Sequence, residues 1–594
     1  MPGGRSAYSD ASVTDLARLP PPTGNYTETA ASFVKQSFPE YDFRMLGGHY
    51  IGKNGVGHVQ FRQSVNGVDL DNGNLNINIG RDGRVFSHGG SVFRGKVPSD
   101  VTLQRADYEP ADALRSVVRL LDLAVEAPRN LQAEPIGTAA NKFTITGTTG
   151  ADRDPVASLV YLNSGKGQLH LVWKVETVIS FHWLVTYIDA VTDRIHVVID
   201  NSHRASYKVY PLGVNDPEDG DRIVVEDPWL LSASPFTWTS DGYTNYTTTE
   251  GNNVVSLHDY TGNGFVAENC YRTDSPDLIF QYPYSACTLN PADYLDASIT
   301  QLFYTANIYH DLLYQLGFNE EAGNFQANNN GRGGLGNDKI IISAQDSWFM
   351  NNAVYFDAPD GESPFILMLL WDLATTVVRD CAFDTGVALH EYTHGLSLRL
   401  TGGPQNFGCL STLEAGGMGE GWSDFMPTVI RLKENDTRKT NYGVGDWVTG
   451  LPDGIRDFAY STNMETNPLT YSDLRNSTWV HDIGTVWATI LYEATWNLID
   501  KHGKNDAMFP DFDEAGVATD GKFLAMQLVM DGMALQPCDP TFVSARDAIL
   551  DADRVLTNGS NHCELWTAFA KRGLGAGARS GVHIDNFDMP EGVC

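Results

Sequence analysis

The stretch His390-Glu391-Tyr392-Thr393-His394 constrains this chain more than any other. The segment before it supplies a cap and a first turn, because Asp384 can take up the free N–H groups of a helix start. His390 and His394 then lie one turn apart on the same helix face. Two imidazoles at that spacing can grip one metal ion. Glu391 can aim its carboxylate at the metal's open position, where a water sits. The pentapeptide alone also arises by chance, and two histidines on a helix face can be satisfied core or surface residues. The rest of the ligand set therefore has to decide.

A catalytic zinc needs three protein ligands and one open position. Downstream lies Gly417-Met418-Gly419-Glu420-Gly421-Trp422-Ser423-Asp424-Phe425. Its glycines read as a turn, with a helix starting at Glu420. Glu420 and Asp424 then share a face, with Glu420 as the third ligand. Asp424 is placed to accept a hydrogen bond from the other nitrogen of a ligand histidine, which sets its tautomer. Glu414 competes for the ligand role, but sits beside Gly416-Gly417 and off any obvious rigid element. A zinc-protease class with a third histidine six residues after His394 is excluded, because Leu400 stands there and Ser397 replaces its glycine.

Several separate runs resemble the fungalysins, extracellular zinc metallopeptidases of fungi related to thermolysin. They are His390 to Ser397, Gly419 to Asp424, and Leu302-Phe303-Tyr304-Thr305-Ala306-Asn307-Ile308-Tyr309-His310-Asp311. The resemblance covers nearly the whole chain, from about Tyr26 to about Gly575. It implies an α+β fold: a thermolysin-like two-lobed metallopeptidase, strand-rich above and helical below, preceded by an α+β prodomain. Residues 1–22 would be a flexible segment, 23–206 the propeptide, 207–400 the strand-rich lobe with the metal-binding helix, and 401–594 the mainly helical lobe. The resemblance also implies roles. Val480-His481-Asp482 resembles the segment whose imidazole stabilises the transition state. Gly454-Ile455-Arg456 resembles the segment whose arginine holds the substrate carbonyl. Asn352 and the Ala353 carbonyl would hold substrate backbone, and Val387 and Ile455 would line the pocket after the scissile bond. Val354-Tyr355 and Leu398 depart from the family pattern.

The 594-residue chain is too long for one ordinary core. A net charge of −33 opposes binding to nucleic acid and to anionic membranes. The longest apolar run, Phe365 to Trp371, is far too short to span a bilayer. The seven cysteines all lie after residue 269 and form no C-x-x-C pair, which argues against a thiolate zinc site. A few disulfides are expected if the protein is secreted, with Cys594 as the unpaired thiol. No signal-peptide run is visible at the given N-terminus. Glycosylation triplets start at Asn25, Asn245, Asn435, Asn476 and Asn558.

The first part of the chain reads as an α+β module. A helix is expected over Thr27–Phe38 and another over Pro110–Ala124. Alternating strands flank the turn Asn66-Gly67, and more strands run from Ala157 to Ile199. His170 and His182 fall inside strand patterns and read as core. Ile299 to Leu316 is a helix, and its His310 is not needed as a ligand. Acids at 218–221 lack the pattern of a calcium loop, so calcium is not indicated. Asn351 to Phe356 reads as an edge strand beside the cleft. Helices are expected at Thr485–Ile499, Gly521–Met533 and Cys563–Phe569.

These features point to a zinc-dependent endopeptidase, with one zinc per chain and Glu-assisted attack of a zinc-bound water. Protein or peptide substrates are implied, with the chain's own propeptide as inhibitor and a monomeric enzyme. A narrow exopeptidase and a catalytically weak zinc-binding protein are the alternatives. The polar linker Asp200 to Ser206 is the expected activation cut.

Overall fold

The computed structural model describes residues 7–10, 24–47, 49–51, 55–95, 97, 109–136, 141–164, 168–179, 182–200, 204–260, 270–288, 290–373 and 377–594. The chain divides into two compact units, Met1–Ser202 and His203–Cys594.

The first unit is α+β, as expected. In the strand Gly57–Val65 every second side chain is buried, so one face is core and the other is wet. Asn66 and Gly67 follow with φ of 51° and 78°, the left-handed pair that a tight hairpin turn needs. They return the chain into the antiparallel strand Val68–Ile79. Helix α1 (Tyr26–Ser37) starts where the Asn25 side chain accepts the Thr27 N–H. It lays Ala30, Phe33 and Val34 over Phe61, Leu75 and Ile77. Helix α2 (Pro110–Leu120) opens on a proline, whose missing N–H costs nothing at a first turn. Its Leu114 and Val117 pack on Tyr161, Leu171 and Val175 of the strands Val156–Asn163 and Leu169–Ile179. The strands His182–Asp189 and Ile195–Asp200 complete this end of the sheet, the latter at its edge. Of the segment 1–22, Ala7–Asp10 forms a strand antiparallel to Val85–Gly90, and its other residues lie outside the described ones.

The second unit runs from His203 to Cys594. Ala205 and Tyr207 are buried in its core. The Tyr207 ring stacks on Phe280 at 5.3 Å between centroids. Here Ser206–Val209 pairs with both Ile223–Glu226 and Ile279–Phe280. Helix α3 (Leu295–Gln315) is buried from Ala297 through Leu313 and forms the spine of this unit. His310 sits on it as a core residue, with Nδ1 3.0 Å from Asp311 Oδ1, so it is a buried polar partner rather than a ligand.

Beside α3 lies a five-stranded sheet. Val254–Leu257, Ile340–Asp346 and Phe365–Trp371 run parallel. The apolar run Phe365–Trp371 is thus a buried central strand. Ala353–Phe356 runs antiparallel to it and pairs with no other strand among the described residues, so it is an edge strand. Helix α4 (Thr385–Leu400) starts at Asp384, whose side chain accepts the Val387 N–H. After it come α5 (Leu413–Ile430), α6 (Val480–His502), α7 (Gly521–Leu535), α8 (Phe542–Thr557) and α9 (His562–Lys571). Helix α8 carries no expectation from the sequence reading. No helix among the described residues is long and apolar enough to cross a membrane.

Two expectations fail here. Glu420 does not begin a helix. It lies in the middle of α5, and Gly416, Gly417, Gly419 and Gly421 are helical rather than a turn. The reason is close packing against α6. A Cβ on Gly417 would lie 2.3 Å from Ile483 Cγ2, and one on Gly421 2.7 Å from the Gly484 carbonyl oxygen. Glycine is needed there for a second backbone to approach, not for a bend. Nor is Cys594 unpaired. It is bonded to Cys563, and Cys409 to Cys538; Cys287 and Cys381 take no part in these bonds. The tail folds back because Gly575 N–H donates to the Asn586 carbonyl at 2.7 Å, which returns the C-terminus to the start of α9.

Candidate metal centre

Two turns of α4 and one turn of α5 build the centre. His390 and His394 present their Nε2 atoms to each other at 3.2 Å. Glu420, across from them on α5, places Oε2 3.3 Å from His390 Nε2 and Oε1 3.8 Å from His394 Nε2. Glu414 is not part of the set. It stands in the first turn of α5, where Oε1 accepts the Phe542 N–H and Oε2 faces His583.

This donor set fits a divalent cation. His390 Nδ1 is 2.8 Å from Asp424 Oδ1, so Nδ1 carries a proton and donates it. Its Nε2 then turns a lone pair toward the equally placed nitrogen of His394. Two facing lone pairs and a carboxylate need a shared positive charge. Glu420 Oε2 is buried and has no hydrogen-bond partner, which marks the same need. Burial lowers the His394 imidazole to about 4 and keeps it neutral. Burial also works against charge on His390, but the Asp424 carboxylate that accepts from its Nδ1 and the Glu420 carboxylate beside its Nε2 more than offset this and raise it to about 10. A metal replaces that proton, because the ligand form is the neutral ring.

Asp424 is fully buried on α5, one turn after Glu420. Besides His390 it accepts from Arg456, with Nε at 2.7 Å and Nη2 at 3.0 Å, and from the Tyr460 hydroxyl. Burial pushes its carboxyl up, but the Arg456 charge and the His390 bond outweigh this and hold it well below the usual carboxylate range. Arg456 thus spends Nε and Nη2 on Asp424, and its side chain also lines the cleft. Glu391 is buried and in no ion pair, and burial raises its carboxyl to about 7. His481, at the start of α6, sets Nε2 3.4 Å from Glu420 Oε2 and stays partly exposed. Burial lowers its pKa, which favours the neutral ring.

All the expected site residues except Asp424 line one cleft of about 380 Å³. Asn352, Ala353, Val387, Ile455 and Arg456 come to it from three separate segments. The cleft also takes residues the sequence reading missed. Tyr355 shares a strand face with Ala353, and its ring lies 6.1 Å from that of His394. The two-residue period of the edge strand was the signal for it. Gly484 of α6 packs directly behind Glu420. A Cβ there would sit 2.6 Å from Glu420 Cβ and 2.9 Å from both the Gly417 carbonyl oxygen and the Gly421 nitrogen. Gly484→Ala is therefore expected to push α5 and α6 apart, at a cost of about 1–3 kcal/mol. Denaturant unfolding should reveal that cost, and metal competition should show weaker binding as Glu420 shifts. A variant with unchanged stability and metal affinity would refute the close fit.

Comparisons with known proteins agree with this geometry. The profile of the family described as "Fungalysin metallopeptidase (M36)" matches residues 206–578. A "Fungalysin/Thermolysin Propeptide Motif" matches residues 41–92. A protein named extracellular metalloproteinase MEP from Fusarium vanettenii is 54% identical over 577 residues, which are 96% of this chain and 90% of the relative. One of the same name from Leptosphaeria maculans is 52% identical over 99% of this chain and 92% of its own length. Another from Aspergillus fumigatus is 52% identical over 96% and 90%. With a buried His-Glu-x-x-His helix, a converging glutamate and these matches, the chain belongs to the fungalysin metallopeptidase family and carries that family's propeptide motif.

Proposed function

We propose that the chain is a secreted zinc endopeptidase made as a latent precursor. The observation that carries this reading is the convergence of His390, His394, Glu420 and Glu391 on a cleft walled by an edge strand. On the open edge of this strand the main chain of Ala353–Tyr355 can bond an extended peptide. Asn352 and the Ala353 carbonyl hold its main chain. His390, His394 and Glu420 would hold a zinc ion, which would supply Lewis acidity to water and to the scissile carbonyl oxygen. Glu391 takes the proton of the attacking water and passes it to the leaving amine. His481 and Arg456 face the negative charge that grows on the carbonyl oxygen, where such help counts most. Asp424 keeps His390 in the tautomer that leaves Nε2 free. The strand-rich residues 207–400 and the mainly helical residues 401–594 act as two lobes around this cleft, and the enzyme works as a monomer.

Secretion is supported by the relatives' name and by two disulfides, which persist in oxidising compartments. The precursor reading rests on the propeptide motif in a unit that has its own core. The activation cut is placed in the polar linker Asp200 to Ser206, of which residues 201–203 lie outside the described ones. Purified active enzyme should begin near residue 205 and carry one zinc. Its casein hydrolysis should vanish with a chelator and return with Zn²⁺. Activity that survives metal removal would sink the mechanism, and a fully active chain starting far upstream of Asp200 would sink the latent-precursor reading.

Specificity follows from the walls of the cleft. Val387 and Ile455 are branched and apolar, so a bulky apolar side chain on the amine side of the cut gains by burial. Cleavage-site profiling of protein digests should find Leu, Phe or Ile enriched there. Enrichment of charged residues would refute the pocket.

A further inference from the structure

A second group of metal-ligating side chains stands in the first unit and has no part in the chemistry above. His170 lies on Leu169–Ile179, Asp189 ends His182–Asp189, and His196 lies on Ile195–Asp200. The two imidazole centroids are 4.5 Å apart, tilted by 39°. His196 Nε2 is 3.1 Å from Asp189 Oδ2. One ligand atom from each residue falls within 4.8 Å of the others.

Two local features aim these groups at one another. Tyr187 pairs with Val197 and Ile188 with Ile195, so His196 is the extra residue of a β-bulge. A bulge re-aims a side chain at a cost to the ladder, which is why it often marks a site. Asp189 is set from the other side. Its Oδ1 accepts the Val191 and Thr192 N–H groups at 3.0 Å each, which locks the carboxylate and leaves Oδ2 to the histidines. The His170 ring makes no hydrogen bond among the described residues. Burial lowers its pKa, and His196 and Arg194 lower it further against a pull from Asp189, so the ring is neutral and offers a lone pair.

We propose that His170, Asp189 and His196 form a second divalent transition-metal site, filled by Zn²⁺. Two imidazoles and one carboxylate suit zinc and not calcium or magnesium, which take all-oxygen sets. Partial exposure leaves room for water as the remaining ligand. The ion clips together the last three strands of the unit. Ile195–Asp200 is the edge strand and runs directly into the linker, so the clip holds the segment next to the cut. This consequence rests on the precursor reading, whereas the metal site itself does not.

The test uses the full chain in the Glu391→Gln form, to prevent self-cutting. Elemental analysis after dialysis against Zn²⁺ should show one equivalent more than in the same chain with His170→Ala and His196→Ala. Equal metal content in the two folded proteins overturns the site, whatever the second unit binds. If the double variant does not fold, the unsubstituted histidines still decide. Saturating Zn²⁺ should protect His170 and His196 from diethyl pyrocarbonate, read by peptide mass mapping. Full labelling of both in the presence of Zn²⁺ overturns the proposal. Limited proteolysis at residues 200–206 should speed up several-fold on metal removal in the Glu391→Gln chain but not in the histidine variant. Equal rates with and without Zn²⁺ would overturn the clipping role.

Discussion

Glu391→Gln is expected to keep one metal at His390, His394 and Glu420 and to lose about 10²–10⁴-fold in kcat. The argument is one of shape against charge. Glutamine has the volume of glutamate and can fill the same buried space without a cavity. It cannot take a proton. Glu391 faces the cleft from the same helix turn as His390, yet it belongs to no ion pair and is not one of the converging ligand atoms. The metal should therefore stay while turnover fails. Single-turnover hydrolysis of a peptide substrate, with zinc measured on the same sample, separates the two effects. Activity within a few-fold of the parent would remove Glu391 from the base role. Loss of metal would show that it acts as a ligand.

Asp424→Asn is expected to destabilise the folded chain by about 3–5 kcal/mol, because it leaves the buried Arg456 without its counter-charge. Asp424 is the one carboxylate that takes both Nε and Nη2 of that guanidinium, and it also holds His390 and Tyr460. After the substitution the next carboxylate in reach of Arg456 is Glu420, at 3.5 Å. An arginine drawn to Glu420 competes with the metal. Loss of the His390 bond frees its tautomer, and together these should lower metal affinity by about 10–100-fold. Denaturant unfolding of zinc-free protein isolates the first effect, and chelator competition the second. The double variant Asp424→Asn with Arg456→Met should recover much of the stability, since no charge stays stranded, but not the metal affinity. A single variant as stable as the parent would show that water or another group compensates Arg456.

Much of the metal centre was legible in the sequence because its logic is local. The spacing of His390 and His394 depends only on the pitch of a helix, and the Asp384 cap lies just before that helix. The step from Glu420 to Asp424 is likewise one turn. Alternation in Gly57–Val65 and Ala353–Phe356 follows from the pleat of a strand and needs no distant partner. The uniform apolar run Phe365–Trp371 is a buried strand because covering layers leave it no wet face.

Tertiary structure decided what depends on residues far apart in the chain. Glycines at 416, 417, 419 and 421 have low helix propensity and read locally as a turn. All four are helical, and at 417 and 421 glycine is required because α6 packs so closely that any Cβ there would strike it. The same approach brings Gly484 against Glu420, and so sets where the third ligand points. The pairing of Cys594 with Cys563 needed the tail to fold back onto α9, which no spacing rule encodes. His170 looked like core because its strand pattern is regular. Only the bulge at His196, on a strand paired two steps away in the sheet, turned it into a partner. Sequence alone thus determined which residues share a turn or a strand face, since backbone geometry repeats over a few residues. The packing of helix on helix and strand on strand determined which of those faces meet, since that depends on close fit between segments far apart in the chain.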